Sequence, residues 1–112
     1  MTRAASLLLA SLGFAVTGVV DAASGRGESI YQSSCVACHG PDGVGALPGV
    51  SDLTTADGPL ALADEMLIKR IAEGFQSPGS PMAMPPRGGN PSLSDEDLKA
   101  VVDYMRKEFA VR

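Results

Sequence analysis

The stretch Cys35-Val36-Ala37-Cys38-His39 is the most informative part of this chain. Side chains three residues apart on a helical turn point the same way, so both thiols can reach the vinyl groups of one porphyrin. The imidazole of His39 follows at once, where it falls under the iron. This spacing is the signal for covalent haem attachment. We predict that Cys35 and Cys38 form thioether bonds to one haem and that His39 binds its iron.

Three other interpretations of the same residues stay open. A thioredoxin-like dithiol would require a strand–helix–strand pattern, which is not visible around the motif. A structural zinc site is built from Cys and His ligands, and the chain contains two Cys and one His, so carboxylates would have to complete the shell. A plain disulfide beside a chance histidine is the third.

The beginning of the chain is typical of an export signal. Arg3 is followed by an uncharged apolar run over residues 4–20, and small residues come next. Val20-x-Ala22 fits a cleavage site. We therefore predict a signal peptide over 1–22 and an exported, periplasmic domain over 23–112. An uncleaved anchor is the alternative, because the run is at the lower edge of what spans a bilayer.

Composition narrows the classes of partner. The 112 residues carry a formal net charge of −4 and contain no Lys/Arg cluster, which argues against nucleic acid or an anionic membrane surface. We expect membrane contact only if the signal is retained, and we expect a monomer. A domain this small buries a limited core and often needs a staple or a cofactor.

Helical periodicity appears in three places and no strand pattern appears. The spacing predicts helices from Gly27 to Cys38, from Asp64 to Gly74, and from the Ser94 N-cap to about Phe109. The start of the second helix stays open, because Pro59 could also be a first helical residue. Gly27 lacks a side chain on the apolar face of the first helix, so another helix can cross closely there, and Tyr104 is placed to meet it. The predicted fold is all-α, with three main helices and loops around one haem.

Loops connect these helices. In the loop over residues 41–59, Leu47, Val50 and Leu53 are apolar enough to touch the haem, although they could equally be ordinary loop anchors. The loop over 76–91 holds five prolines and three glycines. Proline lowers the conformational entropy of the unfolded chain, so we interpret this second loop as a stiff clamp around the ligand.

The iron needs a second axial ligand, and His39 is the only histidine. Met66 and Met105 lie in apolar helical patterns and are interpreted as core. Met84 lies in the proline-rich loop, and the proline that follows it favours an extended backbone there. We predict Met84 as the ligand, with Met82 or an open position as alternatives.

Two axial ligands leave no free coordination position on the iron. A thioether opposite a histidine stabilises ferrous iron and raises the reduction potential. This arrangement describes an electron carrier that acts with redox partner proteins and is not itself an enzyme.

Two motifs in this order resemble the bacterial class I c-type cytochromes, especially the small cytochrome c-five group. They are Cys35-Val36-Ala37-Cys38-His39-Gly40 and Ala83-Met84-Pro85-Pro86-Arg87-Gly88-Gly89-Asn90. The lead into the last helix, Leu93-Ser94-Asp95-Glu96, and Tyr104-Met105 also fit. The chain differs in having no Trp, so any indole bond to a haem propionate is absent.

The resemblance implies a role for particular residues. It implies thioether bonds from Cys35 and Cys38, and iron ligation by His39 Nε2 and the Met84 sulfur. Pro48 is similar to the family proline whose carbonyl accepts the Nδ1 hydrogen of the ligand histidine. The implied function is a periplasmic carrier of single electrons. The alternatives are the haem subunit of a periplasmic dehydrogenase or oxidase, and a haem-based ligand sensor.

Overall fold

A computed structural model describes residues 11, 13 and 22–110, and for residues 22–24 it describes the backbone alone. The predicted signal peptide over 1–22 lies almost entirely outside the described residues and stays a prediction. The elements, in chain order, are α1 (Ala22–Ile30), a π-helical turn (Tyr31–Cys35), α2 (Val36–His39), a 3₁₀ turn (Pro59–Ala61), α3 (Asp64–Glu73), a second 3₁₀ turn (Pro86–Gly89) and α4 (Asp95–Phe109).

The predicted all-α fold is confirmed. In residues 22–110 the only β-type pairing is one isolated antiparallel bridge between Phe75 and Met84. The first helix, expected to be continuous from Gly27 to Cys38, instead contains the π-helical turn Tyr31–Cys35. Single π turns inside helices are frequent at functional sites, and this one ends at Cys35, the first residue of the Cys-x-x-Cys-His motif.

The crossing of α1 and α4 occurs at Gly27, as the sequence predicted. A Cβ atom added there would lie 2.8 Å from the Cβ of Tyr104 and would clash with the carbonyl oxygen of Ala100. Only glycine therefore allows the two helix backbones to approach so closely.

Three aromatic rings fill the core beside this crossing. The Tyr31 ring centroid lies 5.6 Å from that of Tyr104 and 5.2 Å from that of Phe109, at tilted angles. The Tyr31 hydroxyl donates a buried hydrogen bond of 2.6 Å to the carbonyl of Gly40. Burial raises the pKa of Tyr31 to about 12, so the phenol stays protonated and its hydrogen bond joins the π-helical turn to Gly40, the residue after His39.

The start of α4 is fixed by a reciprocal capping box. The Asp97 N–H donates to the Ser94 hydroxyl at 3.1 Å, and the Ser94 N–H donates to the Asp97 carboxylate at 2.9 Å. Asp97 is buried and also accepts a hydrogen bond from the Arg26 guanidinium. The cap of α4 is thus tied to α1 as well.

Arg106 connects the other end of α4 to the segment before α3. Its guanidinium donates to the carbonyls of Leu60 and Leu62 and forms an ion pair with Asp64.

Within residues 22–110, no helix is both long and apolar enough to cross a membrane.

Candidate functional site

A cavity of about 370 Å³ lies at the centre of the domain. Its walls come from every main element, and most of the lining side chains are apolar. The apolar wall consists of Ile30, Val50, Leu53, Pro59, Leu60, Leu67, Ile71, Phe75, Pro85, Leu93, Leu98, Val101 and Met105, with Met82, Ala83 and Met84 from the proline-rich loop. Clefts of this size and character hold cofactors in many proteins.

The two cysteines line this cavity from the π turn and α2. Both are free thiols, half-buried and not joined in a disulfide. Burial raises the pKa of the Cys35 thiol to about 11, and the nearby Cys38 adds to the shift. Cys35 is therefore a neutral thiol at neutral pH, which does not favour a reactive dithiol, because thiolates carry that chemistry.

His39 lines the same cavity as the last residue of α2. Burial lowers the pKa of His39, which favours the neutral imidazole that binds metals. Its Nδ1 atom is buried and has no hydrogen-bond partner. The bond expected from this nitrogen to the carbonyl of Pro48 is therefore not formed in the structure, and Pro48, which is exposed, stays a prediction.

Met84 lies on the cavity wall and is held there through its backbone. The N–H of Met84 donates to the carbonyl of Phe75 at 2.7 Å, and the N–H of Phe75 donates back at 3.1 Å. The other methionines differ. Met82 lines the cavity but is 42% exposed, Met105 is buried at the wall, and Met66 is 45% exposed, so the prediction that Met66 is core was wrong.

Two residues of the 3₁₀ turn after Met84, Arg87 and Gly88, contact neighbouring segments and fix the position of the turn. Arg87 has a left-handed backbone (φ 54°), and its guanidinium donates to the Leu93 carbonyl at 2.6 Å and to Asp95 at 2.9 Å. Gly88 packs so closely that a Cβ there would lie 2.8 Å from the carbonyl of Ser34 in the π turn. The sequence analysis named Arg87 and Gly88 only as members of the second motif and did not predict these contacts.

The loop over 41–59 fulfils its prediction in part. Val50 and Leu53 line the cavity, as expected. Leu47 does not line it and is 40% exposed. Of the two interpretations left open for Leu47, contact with the ligand cavity is therefore not seen.

The residues at the cavity fit an apolar, planar group that carries a metal. No cluster of three or more His, Cys, Asp or Glu exists among the described residues, so a structural zinc site has no ligand set there. The buried Nδ1 of His39 has no partner, which is uncommon in folded proteins. The class I resemblance assigns iron ligation to the other ring nitrogen, Nε2, of this same side chain on the cavity wall. Two thiols and a thioether line the same space, which suits haem with its vinyl groups and iron.

Comparison with known proteins gives a family match over most of the chain. The family described as cytochrome C oxidase, cbb3-type, subunit III, matches residues 22–105. Cytochrome c-555 of Chlorobaculum tepidum is 32% identical over 94% of this chain and 95% of its own length. Cytochrome c-554(548) of Halomonas halodenitrificans is 37% identical over 79% of this chain and 96% of its own.

A third relative belongs to a larger protein. The cytochrome c subunit of the quinone alcohol dehydrogenase of Gluconobacter oxydans is 33% identical over 72% of this chain, and the match covers 18% of that subunit.

Solved structures show the same fold. Cytochrome CL from the marine methylotrophic bacterium Methylophaga aminisulfidivorans MPT has a TM-score of 0.60 at 25% identity, over 80% of this chain and 55% of its own. The chain thus spans about half the length of that structure. The KustC0563 c-type cytochrome has a TM-score of 0.58 at 30% identity, over 72% of this chain and 94% of its own.

Proposed function

The chain belongs to the c-type cytochromes, with a covalently bound haem c, and we propose that it is an exported carrier that transfers one electron at a time between redox partner proteins. The two small relatives covered over nearly their whole length are both named as cytochromes c. Because the class I resemblance includes both sequence motifs, the proposal also covers the residues of those motifs that would bind the haem.

In this proposal each wall residue has a defined task. Cys35 and Cys38 hold the porphyrin through thioether bonds, and His39 and Met84 bind its iron. The single observation that carries the proposal is that these four side chains come from two distant segments and line one cavity. The neutral state of His39, favoured by burial, leaves a ring nitrogen free to act as a ligand.

When bound, haem supplies an iron that alternates between two oxidation states. The protein's part is to exclude other ligands and to resist rearrangement. The bridge between Phe75 and Met84 holds the backbone at Met84, and the packing of Gly88 on Ser34 holds the turn that follows. A thioether held this way would leave no free coordination position on the iron and would favour a high reduction potential.

Mass spectrometry of the exported protein tests attachment and export together. The expected mass is that of residues 23–112 plus one haem. A mass without haem would overturn the proposed function, whereas a mass that retains residues 1–22 would overturn only the cleavage and favour an anchor.

The axial ligand is tested by a matched pair of substitutions in the same loop. Met84→Ala should abolish the weak near-infrared sulfur-to-iron band of the ferric protein, lower the potential and allow the ferrous protein to bind carbon monoxide. Met82→Ala should change none of these. Rapid carbon monoxide binding by the unmodified protein at neutral pH would contradict the closed site and favour a ligand sensor.

A second candidate function is a haem subunit of a periplasmic dehydrogenase or oxidase. The similarity to the cytochrome c subunit of a quinone alcohol dehydrogenase favours it. Any catalysis would then belong to the partner, since the chain shows no second cofactor motif. Co-purification with a larger flavin, quinone or molybdenum protein from the native membrane or periplasm would distinguish this function from a free carrier.

A further inference from the structure

We propose that Arg70 binds a carboxylate of the haem, one of its propionates, at the polar edge of the cavity. This inference rests on the proposed haem binding and deepens it. Haem carries its propionates on the edge opposite the vinyl groups, so a protein that holds the vinyl edge by cysteines must also accommodate the carboxylates. Buried carboxylates require a cation, hydrogen bonds or water.

Only two side chains on the cavity wall carry a fixed positive charge, Arg70 and Arg87. Arg87 is already engaged, because its guanidinium donates to the Leu93 carbonyl and to the Asp95 carboxylate. With no tryptophan in the chain, an indole N–H is not available as a donor either. Arg70 is thus the remaining charged donor at the wall.

The Arg70 side chain is held by Phe75, but among the described residues it has no ion-pair partner. Its guanidinium carbon lies 3.9 Å from the ring centroid of Phe75, in a cation–π contact. In the described part of the chain it makes no hydrogen bond and no ion pair. An arginine has five N–H donors in a planar fork that suits a carboxylate, and stacking on Phe75 leaves the edge of that fork available.

The surroundings of Arg70 show where a carboxylate would lie. A second, open groove adjoins the cavity and shares three residues with it, Ser51, Pro59 and Arg70. None of the Cys-x-x-Cys-His residues lines this groove. The cavity therefore becomes polar and open to solvent at the side of Arg70, away from the cysteines.

Among the described residues, neither carboxylate at this edge forms an ion pair with Arg70. Asp52 and Asp57 line the groove, but Asp52 accepts hydrogen bonds from both the N–H and the hydroxyl of Thr54, at 2.8 and 2.6 Å. Lys69 and Glu73, which lie on α3 together with Arg70, are exposed. The charge-matched neighbour Lys69 provides a control, because it lies next to Arg70 in sequence and does not line the cavity.

The test labels the propionates directly. Cells fed carboxyl-¹³C aminolevulinate produce haem labelled at the propionate carboxyls, and carbon NMR of the reduced holoprotein reports on each of them. Arg70→Gln should shift one propionate resonance and lower the reduction potential, because a positive charge near the iron is lost. Lys69→Gln should leave both resonances in place and change the potential less, since its charge is screened by solvent.

Arg70→Lys serves as the conservative variant and as the fallback if Arg70→Gln does not mature. It keeps the charge but loses the planar fork, so the potential should recover and the propionate resonance should still differ from wild type. Unchanged propionate resonances in an Arg70 variant that holds haem and retains the sulfur-to-iron band would overturn the assignment alone. A wild-type protein without haem would overturn the proposed function and this inference with it.

Discussion

Phe75 and Met84 are joined by two backbone hydrogen bonds, the N–H of Phe75 donating to the Met84 carbonyl at 3.1 Å and the N–H of Met84 donating to the Phe75 carbonyl at 2.7 Å. This pairing fastens the proposed ligand to the residue that follows α3 and Gly74. Phe75 also supports Arg70 from its ring face. One residue therefore positions both the proposed axial ligand and the proposed propionate contact.

Because Gly74 lies beside the Phe75–Met84 bridge, we predict that Gly74→Ala displaces Met84, the proposed iron ligand. Gly74 has a φ of 80°, and a Cβ there would lie 2.8 Å from the Met84 carbonyl oxygen. Strained backbone of this kind costs about 1–3 kcal/mol, and the contact with Met84 adds to it. We expect lower stability in denaturant and a weaker sulfur-to-iron band in the ferric protein.

Gly79→Ala is the matched control, because Gly79 has a φ of 79° but a Cβ there would meet nothing within 4 Å. It should cost only the backbone strain and leave the band intact. Equal band loss in both variants would show that the contact between position 74 and Met84 has no bearing on the ligand.

The helix crossing predicts opposite effects for two glycines in α1. Gly27→Ala inserts a methyl group against the Ala100 carbonyl and Tyr104, and overpacking of this kind costs about 1–3 kcal/mol. Gly25→Ala meets nothing within 4 Å and should stabilise the helix by about 0.5–1 kcal/mol. Denaturant unfolding of the holoprotein measures both. A neutral Gly27→Ala would mean that the helices separate at little cost.

Local sequence was enough to predict where α3 ends and where α4 begins, whereas the start of α3 was left open between Asp64 and Pro59. The capping box of α4 depends on side chains three residues apart, and Gly74 ends α3 through its own backbone conformation. The cavity residues Cys35, Cys38 and His39 were found for the same reason, because their spacing is itself the chemical requirement. Met84 was found from the proline that follows it.

Features that depend on contacts between distant segments were not predictable. The π turn Tyr31–Cys35 places Ser34 against Gly88, and no periodicity within residues 27–38 signals that contact. Arg70 lies inside the predicted helix over 64–74, but its place at the cavity edge depends on how α3 packs. Burial of loop residues such as Leu47 is equally a tertiary property.

Arg106 is predicted to stabilise the fold by closing the segment between the first 3₁₀ turn and α3. Arg106→Gln would leave the carbonyls of Leu60 and Leu62 without this donor. A hydrogen bond to a charged group contributes about 1.5–3 kcal/mol. Because the Arg106 side chain is 30% exposed and solvent can replace part of the two bonds, we expect a total loss of about 2–3 kcal/mol in denaturant unfolding. Lys99→Gln, an exposed charge on the same helix, should be close to neutral. A similar loss in both variants would mean that helix charge, and not the two carbonyls, is responsible.

The lowered pKa of Asp97 predicts how the free energy of unfolding depends on pH in the acid range. The hydrogen bond from Arg26, together with those from Ser94, lowers the pKa of Asp97 from 3.8 to about 2. Because the folded pKa lies below the unfolded one, the contribution of Asp97 is complete above pH 3.8 and is lost as the pH falls toward about 2. Urea unfolding across this window should give a steeper loss for wild type than for Asp97→Asn. Asp103→Asn, which removes an exposed carboxylate from the same helix, should retain the wild-type slope. Equal slopes for wild type and Asp97→Asn would show that other carboxylates govern acid unfolding.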